Sequence, residues 1–263
     1  MYELPMYELP NSLSIRKTFA TPTGMVTVLD DIRMYVAAGE FVAVIGPSGS
    51  GKTTLFNIIA GLEMPDTGAV IIDGVNVTGQ RGQVAYMPQR DALLPWLSVV
   101  ENAVLATVVQ GGDVAAARQE ARSLLPDFGL QGWGDARPAL LSGGMRQRAA
   151  FLRTVLWHRP IMLLDEPFGA LDALTRAQLQ QWLLALWDRL DRTVLLVTHD
   201  IDEALILADR VYVLTPRPAR IALEMRVELP RPRSYSLVTD PAFARLKRQL
   251  QSVLMSGERS SSQ

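Results

Sequence analysis

Apolar residues along this chain come in two rhythms. Four short runs are apolar almost without interruption: FVAVI at 41–45, IMLLD at 161–165, TVLLVT at 193–198 and VYVL at 211–214. Runs of that length with no polar alternation predict strands buried on both faces. Between them apolar positions recur at helical spacing. The clearest set is Leu179, Trp182, Leu183, Leu186, Trp187 and Leu190, on a helix capped by Asp172. Further helices are predicted at 53–60 and 200–208. Strands alternating with helices predict a parallel or mixed sheet covered on both faces.

Upstream, the partly alternating segments 12–17, 25–29 and 32–36 predict short strands. AVIIDGVNV at 69–77 predicts a hairpin turning at Asp73-Gly74. Residues 91–157 turn helical, with helices at 99–109, at 113–125 closed by Pro126, and at 143–157 with Ser142 as N-cap. This block reads as an inserted helical subdomain. The expected domain therefore covers 12–230. Residues 1–11 are an N-terminal extension carrying a MYELP tandem, too short for a structural repeat, with Met6 as an alternative start. Residues 231–263 are a tail that follows a Pro/Arg stretch, with a helix opened by Asp240 and Pro241 and a disordered end at 257–263.

Composition narrows the function. The chain has 263 residues, with 26 Lys+Arg against 27 Asp+Glu and 48% hydrophobic residues. Disorder over most of the length is excluded, because it needs low hydrophobicity and high net charge. No charge excess exists to neutralise phosphates along a nucleic acid. Cysteine is absent, which rules out disulfides and thiolate metal sites. No run of about 18 apolar residues predicts a membrane span, and no signal peptide is expected. The mean hydropathy of +0.13 points to a surface that some partner covers.

Three motifs carry chemistry. GPSGSGKT comprises Gly46, Pro47, Ser48, Gly49, Ser50, Gly51, Lys52 and Thr53. It fits G-x-x-x-x-G-K-[ST] between a predicted strand and a predicted helix, the context a phosphate-binding loop requires. Its glycines let backbone N–H groups point inward at phosphate oxygens, and the helix adds its positive end. Lys52 would reach the β/γ-phosphates and the Thr53 hydroxyl would bind Mg²⁺. In IMLLDEP, a buried strand delivers Asp165 to the sheet's carboxyl edge, where it can hold the Mg²⁺ shell. Glu166, next in line, can polarise a water for attack. In LSGGMRQR, Ser142, Gly143 and Gly144 open a helix with exposed N–H groups, a second anion-ready terminus. Taken singly, the acids could merely cap a strand and the Ser-Gly-Gly could be an ordinary helix start.

Together these motifs resemble the ATP-binding subunit of ABC transporters, over roughly residues 12–230. The resemblance implies a P-loop NTPase of α/β class, with an antiparallel β subdomain and an inserted helical subdomain, hydrolysing ATP with Mg²⁺. It implies that residues Gly46 to Thr54 form the Walker A loop and that Gln89, in AYMPQ, is the Q-loop glutamine reaching Mg²⁺ and the attacking water. Leu141 to Met145 match the signature, with Met145 where glutamine is usual. Asp165 and Glu166 match the Walker B aspartate and the catalytic carboxylate, Gly169 to Asp172 the D-loop, and His199 the switch histidine. Phe19 falls where the family places an aromatic on adenine, more often Tyr. Two copies would close face to face over two nucleotides. The partners implied are a second copy, an integral membrane permease and, indirectly, a solute-binding protein, at the cytoplasmic face of the membrane and without nucleic acid. Leu93, Leu94, Trp96 and Leu97 are expected to form an apolar surface toward the permease.

LLPWLSVVENA, GGMRQR and LPRPR resemble the importer branch that serves nitrate, sulfonates, taurine and pyrimidine precursors of thiamine. The alternative is a non-transport P-loop ATPase of the same fold. A chromosome or repair ATPase would need a long coiled coil between Gln89 and Ser142, yet only roughly 50 residues lie there, without sustained heptads. A translation ATPase usually carries two cassettes. A small-molecule kinase would leave Ser142–Gly144, Gln89 and His199 unused.

Overall fold

A computed structural model describes residues 11–169, 171–190 and 192–260. The MYELP tandem, Ala170 and residues 261–263 lie outside them. Two sheets organise the chain. The larger has six strands in the order β10-β9-β3-β8-β7-β6: β3 (Phe41–Ile45), β6 (Ala85–Met87), β7 (Ile161–Asp165), β8 (Thr193–Val197), β9 (Arg210–Leu214) and β10 (Ile221–Arg226). β3, β6, β7, β8 and β9 pair in parallel, and β10 is antiparallel to β9. All residues of β3, β7, β8 and β9 are buried. The two faces of β3 feed different cores. Phe41, Ala43 and Ile45 join the cluster beneath the helices. Val42 and Val44 join the cluster beneath the smaller sheet.

That smaller sheet is antiparallel, in the order β2-β1-β4-β5: β1 (Ser12–Thr21), β2 (Gly24–Tyr35), β4 (Thr67–Ile72) and β5 (Val75–Asn76). It differs from the three short strands expected at its start. β1 runs on to Thr21, and β2 continues through Asp30-Asp31, which the pattern alone reads as a break. A register shift absorbs the irregularity between Ile15 and Lys17. Asp31 takes the left-handed backbone that acids tolerate, while Asp30 is bonded by Arg220 at 2.5 Å.

The helices are α1 (Lys52–Ile59), α2 (Val99–Ala103), α3 (Leu105–Gln110), α4 (Val114–Leu124), α5 (Gly143–Val155), α6 (Ala173–Leu190), α7 (Ile201–Leu207) and α8 (Pro241–Ser260). The single helix expected at 99–109 is two, broken at Val104. The chain leaves β6 and returns to its neighbour β7 only after passing through α2–α5. α2 opens on a capping box of Ser98 and Glu101. On α6, Trp182 donates to the Asp127 carbonyl at 2.8 Å and Trp187 meets Phe41 edge-on. The Leu190 side chain lies outside the described set.

The tail is part of the domain. α8 reaches Ser260 and buries Phe243 and Leu250 fully; of the disordered end expected at 257–263, residues 261–263 lie outside the described residues. Arg231 pairs with Asp209 at 2.7 Å and lies over the Trp187 ring. The Arg233 side chain is 2% exposed. It donates to the carbonyls of Leu205 and Ala208 at the end of α7, and to those of Val227 and Leu229. Burial, with Arg231 nearby, pushes its guanidinium down to about 10.

Candidate active site

Every chemical group singled out above sits at the carboxyl ends of β3, β6, β7 and β8 or at the start of α5, apart from Phe19. Residues 46–51 turn the chain from β3 into α1. Gly49 and Gly51 have positive φ of 74° and 106°. A Cβ on Gly51 would come within 2.7 Å of the Val28 side chain, so a larger residue is refused twice over. Lys52 is buried, and its ammonium donates to the carbonyls of Gly46 and Pro47, both at 2.9 Å. Burial pushes its pKa down, while Glu166 and Asp165 oppose the shift. Ser50 Oγ is buried without a hydrogen-bond partner among the described residues. The loop thus holds a cation and a spare hydroxyl around a backbone curl, a cradle suited to phosphate.

Asp165 ends β7, buried. Its carboxyl is pushed up by burial and by Glu166, and held down by hydrogen bonds from Tyr86 and Thr53 and by Lys52. Thr53 and Asp165 form a hard, all-oxygen pair. No group of three or more His, Cys, Asp or Glu able to hold a metal exists among the described residues. The donors therefore fit Mg²⁺, which takes one or two protein oxygens and completes its shell from phosphates and water. They do not fit a metal needing a full protein cage.

Glu166 has a left-handed backbone, φ 45°, fixed by its N–H donating to the Val197 carbonyl at 2.9 Å. A glutamate held there is strained, and such strain concentrates where a side chain must be aimed. Its Oε2 accepts from Gln89 Nε2 at 3.1 Å and lies 3.4 Å from His199 Nδ1. Three residues from three separate segments thus meet on one carboxylate oxygen. His199 is 60% exposed, open to a ligand. Behind it, Thr198 Oγ1 donates to buried Glu203 at 3.0 Å.

Burial pushes Glu203 from 4.5 up to about 8, so it is protonated at neutral pH. The folded chain then holds a proton that the unfolded chain releases above about 4.5. The stability this group contributes is complete below that value and falls as pH rises toward 8. Glu203→Gln is expected to flatten the decline of the urea midpoint between pH 6 and 8. An unchanged slope would assign the titration elsewhere.

Ser142 caps α5, accepting from the Met145 N–H at 3.2 Å, and Ser142 and Gly143 are exposed. Gln147 on the same helix donates to the Pro167 carbonyl, tying α5 to the Glu166 turn. Arg176 bonds the Leu171 carbonyl at 3.1 Å and faces Asp200 at 3.6 Å, linking residues 171–172 to the His199 loop. Neither contact was legible in the motifs. Phe19 is half-buried on β1 under the Lys17 ammonium, 4.8 Å away. Among the described residues no hydrogen bond, ion pair or ring contact joins it to the phosphate loop.

Two surfaces flank the segment after Gln89. One is a groove of 270 Å³ lined by Tyr86, Ala92, Leu105, Val109 and Trp157. The other is a 580 Å³ cavity at Trp96, Arg118 and Arg137. The expected apolar surface is corrected here. Leu93 is buried in the core, Leu94 and Leu97 are half-covered, and Trp96 alone of the four stands out, at 65% exposed. Fully buried Asn102 explains the tuck. Its amide bonds the carbonyls of Leu94, Leu97 and Ser98 and accepts the Leu94 N–H.

The sheet order and the phosphate loop facing a strand-end carboxylate define a P-loop ATPase. The family described as "ABC transporter" matches residues 29–169. The chain is 45% identical over 200 residues to the formylaminopyrimidine import ATP-binding protein ThiZ of Halalkalibacterium halodurans, covering 76% of this chain and 78% of that one. It is 37% identical over 250 residues to the nitrate import ATP-binding protein NrtD of Synechocystis, covering 93% and 94%. Among solved structures, a dimeric ATP-binding cassette in a post-hydrolysis state with ADP and Pi superposes with a TM-score of 0.73 at 29% identity, covering 84% of this chain and all of that one. This chain belongs to the ABC transporter family, as an ATP-hydrolysing cassette.

Proposed function

We propose that this cassette energises import of a small anionic or organic solute through a separate membrane permease, working as a homodimer on the cytoplasmic face. Nitrate, a sulfonate, taurine or a thiamine pyrimidine precursor would be the solute, delivered by a binding protein. The convergence of Gln89 and His199 on Glu166 carries the catalytic part of this reading. Lys52 releases the carbonyls of Gly46 and Pro47 and binds the β/γ-phosphates. Thr53, Asp165 and Gln89 would hold Mg²⁺, which would neutralise phosphate charge. Glu166 takes the proton of the attacking water, and His199 holds the γ-phosphate. Ser142, Gly143 and Gly144 of the second copy close over the same nucleotide, so its removal reopens the pair. Phe19 would stack on the adenine.

The 270 Å³ groove supports the permease part, since it is apolar and borders the Gln89 segment. The tagged chain, drawn from gently solubilised native membranes, should bring down a multi-span integral protein. Val109→Glu, at a side chain 79% exposed, should lose that protein while ATP hydrolysis by the isolated chain persists. Recovery of soluble partners alone would favour a non-transport ATPase.

A further inference from the structure

Tyr86 lies in the AYMPQ segment without a role of its own in the motifs, yet it touches both the groove and Asp165. It is the middle residue of β6, in parallel register with Leu163 on β7, so β6 and β7 run to the same sheet edge. Its ring lines the groove beside Val109 and Trp157. Its hydroxyl donates to Asp165 Oδ2 at 3.3 Å. Three residues later, Gln89 donates to the neighbouring acid, Glu166. One short segment therefore supplies a donor to each carboxylate in turn.

A carboxylate with both oxygens free can rotate, and ordering it on metal binding costs entropy. Thr53 and Tyr86 both hydrogen-bond this carboxyl, and the Tyr86 hydroxyl on Oδ2 narrows its remaining freedom beforehand. The bond is longer than the usual 2.7–2.8 Å between oxygens. Its effect is accordingly modest, and it yields to small displacements of the ring.

We propose that Tyr86 is a positioning residue that holds Asp165 for Mg²⁺-ATP and joins the groove to the metal site through one side chain. Whatever seats in the groove touches the ring whose hydroxyl aims Asp165. This rests on the assignment of Asp165 as a Mg²⁺-bearing residue.

The test is the affinity of the full-length chain for the non-hydrolysable analogue AMP-PNP, measured in EDTA and again in saturating Mg²⁺. The ratio of the two is the metal's contribution. Tyr86→Phe keeps the ring and should leave the EDTA affinity and the melting temperature unchanged. Its affinity in Mg²⁺ should fall about three- to tenfold, as for loss of one hydrogen bond. An unchanged ratio, or an equal loss with and without Mg²⁺, overturns the role. Asp165→Asn separates the two levels. If it depresses the ratio while Tyr86→Phe does not, the tyrosine alone is wrongly placed. If Asp165→Asn leaves the ratio intact, the metal assignment fails and the Tyr86 role falls with it.

Discussion

Glu166→Gln should slow ATP turnover by about 10²–10⁴-fold, the range for loss of a positioned general base, and leave ATP binding intact. The reason lies in how the residue is held. Its backbone is pinned at φ 45° by the bond to the Val197 carbonyl, and Gln89 and His199 both face Oε2. Glutamine preserves that shape and removes only the capacity to accept the water's proton. Hydrolysis then stalls after closure, so size-exclusion chromatography in Mg²⁺-ATP should show dimers accumulating. Adding Ser142→Arg to that variant should abolish the dimer while a single chain still binds ATP, because the bulk falls on the terminus proposed to meet the other copy's nucleotide. A fully active Glu166→Gln would remove this residue as the base. Dimers surviving Ser142→Arg would sink the shared site.

Arg233→Met should lower unfolding free energy by about 2–4 kcal/mol, the scale for stripping a buried charged donor from several partners. Methionine fills much of the same volume, so the loss is chiefly polar. The carbonyls of Leu205 and Ala208 terminate α7, where no intrahelical donor is available. Those of Val227 and Leu229 join the same guanidinium from the segment after β10. The urea midpoint reads the change directly. A shift equivalent to less than about 0.5 kcal/mol, within the range of surface substitutions, would mean that water replaces the guanidinium without cost.

What could be foreseen from the sequence divides along physical lines. β3, β7, β8 and β9 were visible because strands buried on both faces must be apolar throughout, and the motif residues are fixed to their ends. β6 escaped because three residues carry no period. β10 alternates only over LEMR, too few residues to establish a period, and follows a turn rich in Pro and Arg, so it reads as loop. The break at Val104 lies inside an apolar stretch, where periodicity cannot distinguish one helix from two. Leu93 looked available because hydrophobicity says nothing of direction, and the fully buried amide of Asn102 draws the loop inward. Arg233 and Tyr86 lie in the LPRPR and AYMPQ segments, but their roles were invisible for a different reason. Each acts on groups more than twenty residues away or on backbone carbonyls, which no local pattern encodes.

The sheet order gives the two halves of the site unequal stiffness. β3, from which the phosphate loop hangs, is paired on both sides, by β8 and β9. β6, which carries Tyr86 and leads to Gln89, is three residues long and paired with β7 alone. Detaching a short margin costs far less free energy than opening the centre of a sheet. On the proposed roles, the grip on the nucleotide would be built into the rigid middle, and the groups that adjust the acids would be on a compliant rim. A cassette with those roles would retain its fuel while idle, and a light push at the rim would be enough to reach the acids assigned to consume it.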